Sequence, residues 1–543
     1  MKEPRKDPLE SRGSDPPSSG AAPSLGARSS GVLLHPTSLP GCSGSGDLGR
    51  EAAGFVDFLA AAEQRWWQML PVGPPGYGDS PYSAESAFAG SPLLIDLEAL
   101  AHAGLLRPHE LDVAEPFTAE RVDFARSRAF REDRLARAFA TFSRRRDPAA
   151  IQAFDAFVAA NLAWLEDWAL FRALKRAHGD VAWTEWPRPL KDRDPEALAA
   201  ASERYVDAID LARFEQHVFA SQWRDLRALC AARGVALLGD LPIFVAHDSA
   251  DVWQRRDLFQ LDAEGMPTVV AGVPPDYFSA AGQRWGNPLY RWDRLRKEGY
   301  AWWIARLRSA LDRFDAVRLD HFIGFVRAYA IPASSPTAKV GEWQPGPGAD
   351  LFEAARAALG PLPLIAEDLG VVTPEVTALR ERFGFPGLRV LQFAFGNDPQ
   401  AATFLPESYP RETVVYTGTH DNDTTAGWFH DRGGRDSERS LEQITREQAA
   451  ALAHVGGDGT EIHWDMIAAA IASAANIAIV PAQDLLGLRS EARMNRPGTS
   501  GDNWGFRLRA GALDARVAER LRGLTRFHGR SGGDGNDDEE AGG

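Results

Sequence analysis

The chain runs to 543 residues, 44% of them hydrophobic and 25% charged. That balance supports a large buried core and excludes wholesale disorder, and the length accommodates about three domains of ~150 residues or one barrel with insertions. Lys and Arg number 60 against 75 Asp and Glu, a net charge of −15, which argues against nucleic acid or an anionic membrane as partner.

Residues 1–30 are rich in Ser, Pro, Gly and charge and lack the apolar run of a secretory signal. Glu3, Asp7, Glu10 and Asp15 also set them apart from acid-poor transit peptides, so a disordered tail is expected. Residues 31–72 hold two apolar, β-rich runs, Gly31–Pro36 and Arg65–Val72. Residues 73–233 are rich in Ala, Arg and Leu at helical spacing, as in Phe157, Ala160, Leu162, Leu165 and Leu170, and predict a mainly helical subdomain. Six further runs fall within 234–528: Val235–Pro242, Ala316–His321, Leu364–Asp368, Leu388–Phe395, Thr413–Thr417 and Ile477–Pro481. Near-continuous hydrophobicity, as in Val235-Ala236-Leu237-Leu238, suits a parallel strand covered on both faces. Helical stripes separate them, one through Trp302, Ile304, Leu307, Ala310 and Leu311, another from Leu351 to Leu359. Residues 244–292, richer in Pro, Gly and aromatics, predict a structured lid insertion over the barrel mouth. Met466 to Ala482, interrupted by Ser473, Asn476 and Pro481, predicts a buried helix running into a strand rather than a bilayer span. Residues 529–543 are Gly-rich and acidic and predict a second loose tail. Eight strands alternating with helices predict an α/β fold, a (β/α)8 TIM barrel with a large helical subdomain inserted between strands 2 and 3 and further loop insertions over the mouth.

Acidic residues collect at the strand ends. The third run ends in Gly239-Asp240, the fourth in Arg318-Leu319-Asp320-His321, and the fifth in Ala366-Glu367-Asp368; the seventh is followed by Gly418-Thr419-His420-Asp421-Asn422-Asp423. In a (β/α)8 barrel these carboxyl ends build the active site. One Asp after a strand is ordinarily a helix N-cap, but four strands delivering carboxylates to one rim, two with an adjoining His, point to chemistry. Arg318 and Asp320, two apart, share a face, and a guanidinium there favours the ionised carboxylate that a nucleophile requires. Glu367 and Asp368 face opposite ways; Glu367 is assigned to the barrel axis and Asp368 to structural hydrogen bonds at the start of the next helix. An apolar setting would raise the Glu367 pKa and suit it to general-acid work. One ionised carboxylate and one protonated carboxyl across a bond is the arrangement of glycoside chemistry. Trp66, Trp67, Tyr77, Tyr82, Tyr277, Phe278, Trp285 and Trp292 offer rings that can stack on pyranose faces, with core packing the competing reading for Trp66 and Trp67.

Seven motifs carry a resemblance. They are Gly-Val-Leu-Leu-His-Pro-Thr-Ser-Leu-Pro (31–40), Gly-Asp-Ser-Pro-Tyr (78–82), Gly-Asp-Leu-Pro-Ile (239–243), Gly-Val-Pro-Pro-Asp-Tyr-Phe-Ser (272–279), Arg-Leu-Asp-His-Phe (318–322), Ile-Ala-Glu-Asp-Leu-Gly (365–370) and Tyr-Thr-Gly-Thr-His-Asp-Asn-Asp (416–423). With these the chain resembles, from about Gly31 to Leu508, the 4-α-glucanotransferases of glycoside hydrolase family 77, called amylomaltase in bacteria and disproportionating enzyme in plants. The resemblance implies Asp320 as nucleophile, Glu367 as general acid/base and Asp421 as transition-state stabiliser. It also implies that Arg318, Asp240, His321 and His420 bind sugar in the cleavage subsite. Tyr82 and a lid over Asp276–Ser279, with Tyr277 and Phe278, would contact the glucan chain. Two departures, Ser83 where members commonly have Gln and Asn503-Trp504-Gly505-Phe506-Arg507 without a second Trp, bear on acceptor preference and product size. Position along the chain does not by itself separate the roles of Asp421 and Asp423.

The implied reaction is transfer of an α-1,4-glucan segment to the 4-hydroxyl of an acceptor glucose or maltooligosaccharide, with retention of configuration. The expected partners are α-1,4-glucans and maltooligosaccharides, with no cofactor, no metal, no nucleic acid and no membrane, in a monomer or weak homo-oligomer. Cys42 and Cys230 are too few for a disulfide scaffold or a cysteine-built zinc site and fit a cytoplasmic location. The rival readings are an α-1,4-glucan hydrolase on the same barrel, a lyase or isomerase barrel holding Mg²⁺ on Asp240, Asp320 and Glu367, and a non-catalytic glucan-binding protein. Arg318 beside Asp320 speaks against the second, and the presence of all three acids against the third.

Overall fold

The computed structural model describes residues 23–275, 281–397, 399–434, 437, 439–499 and 501–531. Among them are twelve strands: β1 (Ser29–Leu33), β2 (Trp66–Gln68), β3 (Ala236–Pro242), β4 (Val269–Val273), β5 (Gln283–Pro288), β6 (Ala316–Asp320), β7 (Arg327–Pro332), β8 (Glu342–Pro345), β9 (Leu364–Ala366), β10 (Gly387–Val390), β11 (Thr413–Tyr416) and β12 (Ile477–Pro481). Eight are parallel in the order β10-β11-β12-β1-β2-β3-β6-β9, and each lies within or overlaps one of the eight apolar runs. The seam between β9 and β10 is closed by two hydrogen bonds. The Ala366 N–H donates to Pro386 O at 2.8 Å, and the Leu388 N–H to Asp368 Oδ1 at 2.8 Å. Asp368 therefore does structural work, as expected, but at the start of the next strand rather than of the next helix. All the barrel strands but β12 are shorter than their apolar runs: Leu364–Ala366 stops before Glu367, and Leu391–Phe395 is a 3₁₀ turn.

Side-chain burial explains the runs. Val32, Trp66, Trp67, Leu237, Leu238, Val317, Ile365, Val414 and Ile479 are all buried, as strands covered on both faces require. Trp66 and Trp67 are thus core, their indole N–H groups given to Ser29 Oγ (3.0 Å) and Leu34 O (2.8 Å). Gly31 is required beside them, since a Cβ there would fall 2.4 Å from Trp66 Cβ.

Between β2 and β3 the chain is mainly helical, with long helices at Phe124–Arg145, Pro148–Ala177 and Val206–Ala232. Asp123 and Asp147 cap the first two by accepting N–H bonds from Arg126 and from Ala149 and Ala150. Leu165 and Leu170 are buried, but Leu162 is exposed, so the core-facing stripe read through it begins a turn later. In the helix Ala301–Arg313 the core face is Trp302, Trp303, Arg306 and Leu307, with Ile304 and Leu311 only half-buried. The stripe was displaced because Arg306 is on it. Its guanidinium donates to Ile243 O (3.0 Å) and Pro242 O (2.6 Å), satisfying carbonyls at the end of β3.

The insertion 244–292 contributes β4 and β5 to a second sheet, antiparallel in the order β5-β4-β7-β8. Sequence reading missed this sheet, whose strands are only four to six residues long. Ala271, Ala328 and Ala330 pack into the main core, and β5 brings Trp285 edge-on to His321 with ring centroids 4.8 Å apart. Ordered structure also extends past both expected tail boundaries. β1 starts at Ser29, and Arg530 is fully buried, donating to Ser29 O, Ile471 O, Ser473 O, Ala475 O and Asn476 O. No described helix is long and apolar enough to cross a membrane.

Candidate active site

The β3–β6 register sets the site. Asp240 pairs with Arg318 across the ladder, and Arg318 with Ile365 on β9. Arg318 Nη1 donates to both Asp240 oxygens (2.8 and 2.7 Å) and to Asp320 Oδ1 (2.9 Å), so one guanidinium nitrogen joins the carboxylates of two strands. The Asp240 side chain is wholly buried and that of Asp320 about a quarter exposed, facing the open end. Burial opposes the charge on Arg318, but Asp240 and Asp320 outweigh it and hold the guanidinium well above its ordinary pKa. Burial raises the Asp240 carboxyl, with Arg318 pulling it down and Asp320 pushing it up.

Glu367 lies just beyond β9. Its carboxylate accepts the His321 N–H at Oε2 (2.7 Å) and the Leu369 N–H at Oε1 (2.9 Å). It is buried, and burial pushes its pKa up to about 7, with Arg318 opposing and the Asp320 charge reinforcing the rise. Asp320, at the end of β6, is one residue from the amide that holds this carboxyl. His321 is buried and has its pKa lowered by burial to about 4.

Contacts run on to the loop after β11. Tyr82 donates to Asp240 Oδ2 at 2.8 Å and stacks on His420, centroids 5.0 Å apart. His420 Nε2 lies 3.3 Å from Asp421 Oδ1. Asp240, Arg318, Asp320, His321, Glu367, Tyr82, His420 and Asp421 thus form one continuous chain of contacts. The structure also separates Asp421 from Asp423. The Asp423 carboxylate is spent on Ser490 Oγ (2.6 Å) and the Thr424 N–H (2.8 Å), whereas the Asp421 side chain is nearly half exposed. Asp276, Tyr277 and Phe278 lie outside the described residues.

Sequence reasoning missed the groups that hold Asp421. Asn495 Nδ2 donates to its Oδ1 (2.6 Å) and Arg493 Nη2 to its main-chain oxygen (2.8 Å). Both follow β12, the last barrel strand, and that position at the carboxyl rim is the only signal they carry. Asp484, also after β12, accepts the Thr417 hydroxyl (2.6 Å) and the Thr425 N–H and hydroxyl (both 2.7 Å), clamping the two ends of the loop that carries His420 and Asp421. Trp504, buried, packs against the rings of Tyr82 (5.7 Å) and His420 (6.0 Å). Among the described residues no cluster of His, Cys, Asp and Glu is arranged to hold a metal ion.

Comparison with known proteins gives the family. The family model described as 4-alpha-glucanotransferase matches residues 34–513. The chain is 49% identical to the 4-alpha-glucanotransferase of Thermus thermophilus over 92% of its own length and 98% of that protein's. It is 47% identical to the 4-alpha-glucanotransferase of the Synechocystis strain PCC 6803 over 93% and 99%. Among solved structures, the amylomaltase from Streptococcus agalactiae in complex with acarbose superposes with a TM-score of 0.87 at 35% identity, covering 93% of this chain and 99% of that one. The chain belongs to the 4-alpha-glucanotransferases of glycoside hydrolase family 77.

Proposed function

We propose that the protein is a 4-α-glucanotransferase that moves a segment of an α-1,4-glucan to the 4-hydroxyl of glucose or a maltooligosaccharide by double displacement. The observation that carries this reading is the pairing of Asp320, open to the barrel mouth and bound to Arg318, with a buried Glu367 whose pKa is pushed up to about 7. An Asp320 carboxylate oxygen attacks the anomeric carbon as the glycosidic C–O bond breaks, and the Glu367 proton goes to the departing 4-oxygen. The glucosyl–Asp320 ester then gives up its anomeric carbon to the acceptor 4-hydroxyl, whose proton passes to Glu367, restoring both groups with net retention. Asp421 stabilises the oxocarbenium-like transition states, held in place by Asn495 and Arg493. Arg318, Asp240, Tyr82, His321 and His420 bind the sugar being transferred. The second sheet, which sets Trp285 against His321, supports exclusion of water while an acceptor docks.

The hydrolase alternative differs only in the fate of the intermediate. Incubation with maltotriose distinguishes them: the proposal predicts glucose together with oligosaccharides longer than maltotriose, and Asp320→Asn abolishes both. Products shorter than maltotriose alone would contradict it.

A further inference from the structure

We infer that the left-handed backbone at His321 is a positioning device for Glu367, turning two successive amides, one residue past the nucleophile, onto the acid/base. The inference rests on the reading of Glu367 just given. His321 has φ 52° and ψ 55°, a conformation that Gly and Asn adopt readily and β-branched residues avoid. The turn there sends the His321 N–H to Glu367 Oε2 (2.7 Å) and the Phe322 N–H to Glu367 main-chain O (2.9 Å), while the Glu367 N–H returns to Leu319 O (3.0 Å). Leu369 N–H takes the other carboxyl oxygen at 2.9 Å. Asp320, at the end of β6, and Glu367, just past β9, are thereby tied by main-chain bonds on either side of the Glu367 carboxyl, which itself takes the His321 amide.

The arrangement suits a group that must change protonation state twice per turnover. The charged groups acting on Glu367 are Arg318, which favours its ionised form, and Asp320, which disfavours it. Burial also disfavours ionisation, and the two amide donors counter it, so that the carboxyl is held in register both as acid and as base. A carboxylate has about four lone-pair sites, so two amide bonds leave room for the glucosidic oxygen. The imidazole of His321 is a separate matter, packed edge-on to Trp285.

Three substitutions that all remove the imidazole but differ in tolerance of positive φ isolate the backbone. His321→Asn and His321→Gly keep the left-handed turn, and His321→Val does not. The basic limb of kcat/KM is expected to coincide in the Asn and Gly variants. In the Val variant it is expected to move up by about one pH unit, with kcat lower by about tenfold than in the Asn variant, because a donor to the carboxylate is lost. If the Val variant does not fold, His321→Ala, with a smaller left-handed penalty, takes its place. Equal limbs and equal kcat across the series would overturn the inference. Glu367→Gln, assayed on a donor with an activated leaving group, should lose the basic limb altogether; a limb that persists there would remove the assignment of Glu367 itself, a different failure.

Discussion

Replacing Arg318 with Met tests how the paired carboxylates are sustained. One nitrogen contacts three carboxylate oxygens at 2.7–2.9 Å, with the Arg318 side chain 6% exposed and that of Asp240 fully buried. Met fills much of the volume but leaves Asp240 and Asp320 facing each other without a cation. Breaking a buried pair by removing one partner costs about 3–5 kcal/mol. Asp240 is already raised by burial, and loss of the opposing Arg318 charge raises it further. A carboxyl raised in the fold keeps a proton that the unfolded chain has released, so the destabilisation grows as pH climbs above the ordinary carboxylate range and shrinks below it. Arg318→Met with Asp240→Asn removes the unpaired charge and should recover about 2 kcal/mol relative to additivity. Denaturant unfolding at acidic and mildly alkaline pH reads the stability, and glucose release from maltotriose reads transfer, expected to fall by about 10²–10³. An Arg318→Met protein as stable as the unsubstituted chain in mild alkali, with transfer reduced by less than about tenfold, would refute the reasoning.

Transfer kcat/KM should fall as pH rises through about 7, where Glu367 loses its proton, and a profile flat across that value would contradict the acid assignment. The same raised pKa means stability supplied by the neutral carboxyl is lost progressively between the ordinary Glu range and about 7, as thermal unfolding across that window would show. Asp421→Asn should lower kcat by about 10²–10³ in a protein that unfolds normally. Asp423→Ala should instead cost about 1–3 kcal/mol of stability, because the Ser490 hydroxyl and Thr424 N–H lose their acceptor; equal kcat losses in the two variants would contradict the distinction. Transfer should survive a chelator, because Arg318 Nη1 already bridges Asp240 and Asp320, two of the three carboxylates that would hold a divalent ion. Activity lost to chelation and restored by Mg²⁺ would reinstate a metal-dependent barrel.

The barrel strands were legible because their apolar runs are buried on both faces, which leaves a continuous hydrophobic signature. The second sheet was not. Two of its strands, Gln283–Pro288 and Glu342–Pro345, are largely polar and exposed, with no apolar run to stand out from loop sequence. In the helix Ala301–Arg313 the core face takes in Arg306, which an apolar stripe does not predict, since its buried role depends on carbonyls far away in sequence. At the site, Arg318 and Asp320 could be placed on one face by two-residue alternation, and their contact follows from it. Asn495 and Arg493 carry no such local pattern: they reach Asp421 because β11 and β12 pair side by side, which sets the segments after the two strands together. Asp421 and Asp423 have nearly the same sequence setting, and tertiary partners separate them, Ser490 for Asp423 and Asn495 for Asp421.

The most direct measurement is to look for the covalent intermediate. In Glu367→Gln enzyme supplied with an α-maltosyl fluoride, which needs no protonation of its leaving group, the first displacement proceeds and the second lacks its base. Digestion and peptide mass spectrometry should then find a maltosyl ester on the peptide containing Asp320, absent from the Asp320→Asn, Glu367→Gln double variant. An ester on another carboxylate, or full turnover with inverted configuration and no ester at all, would contradict the account.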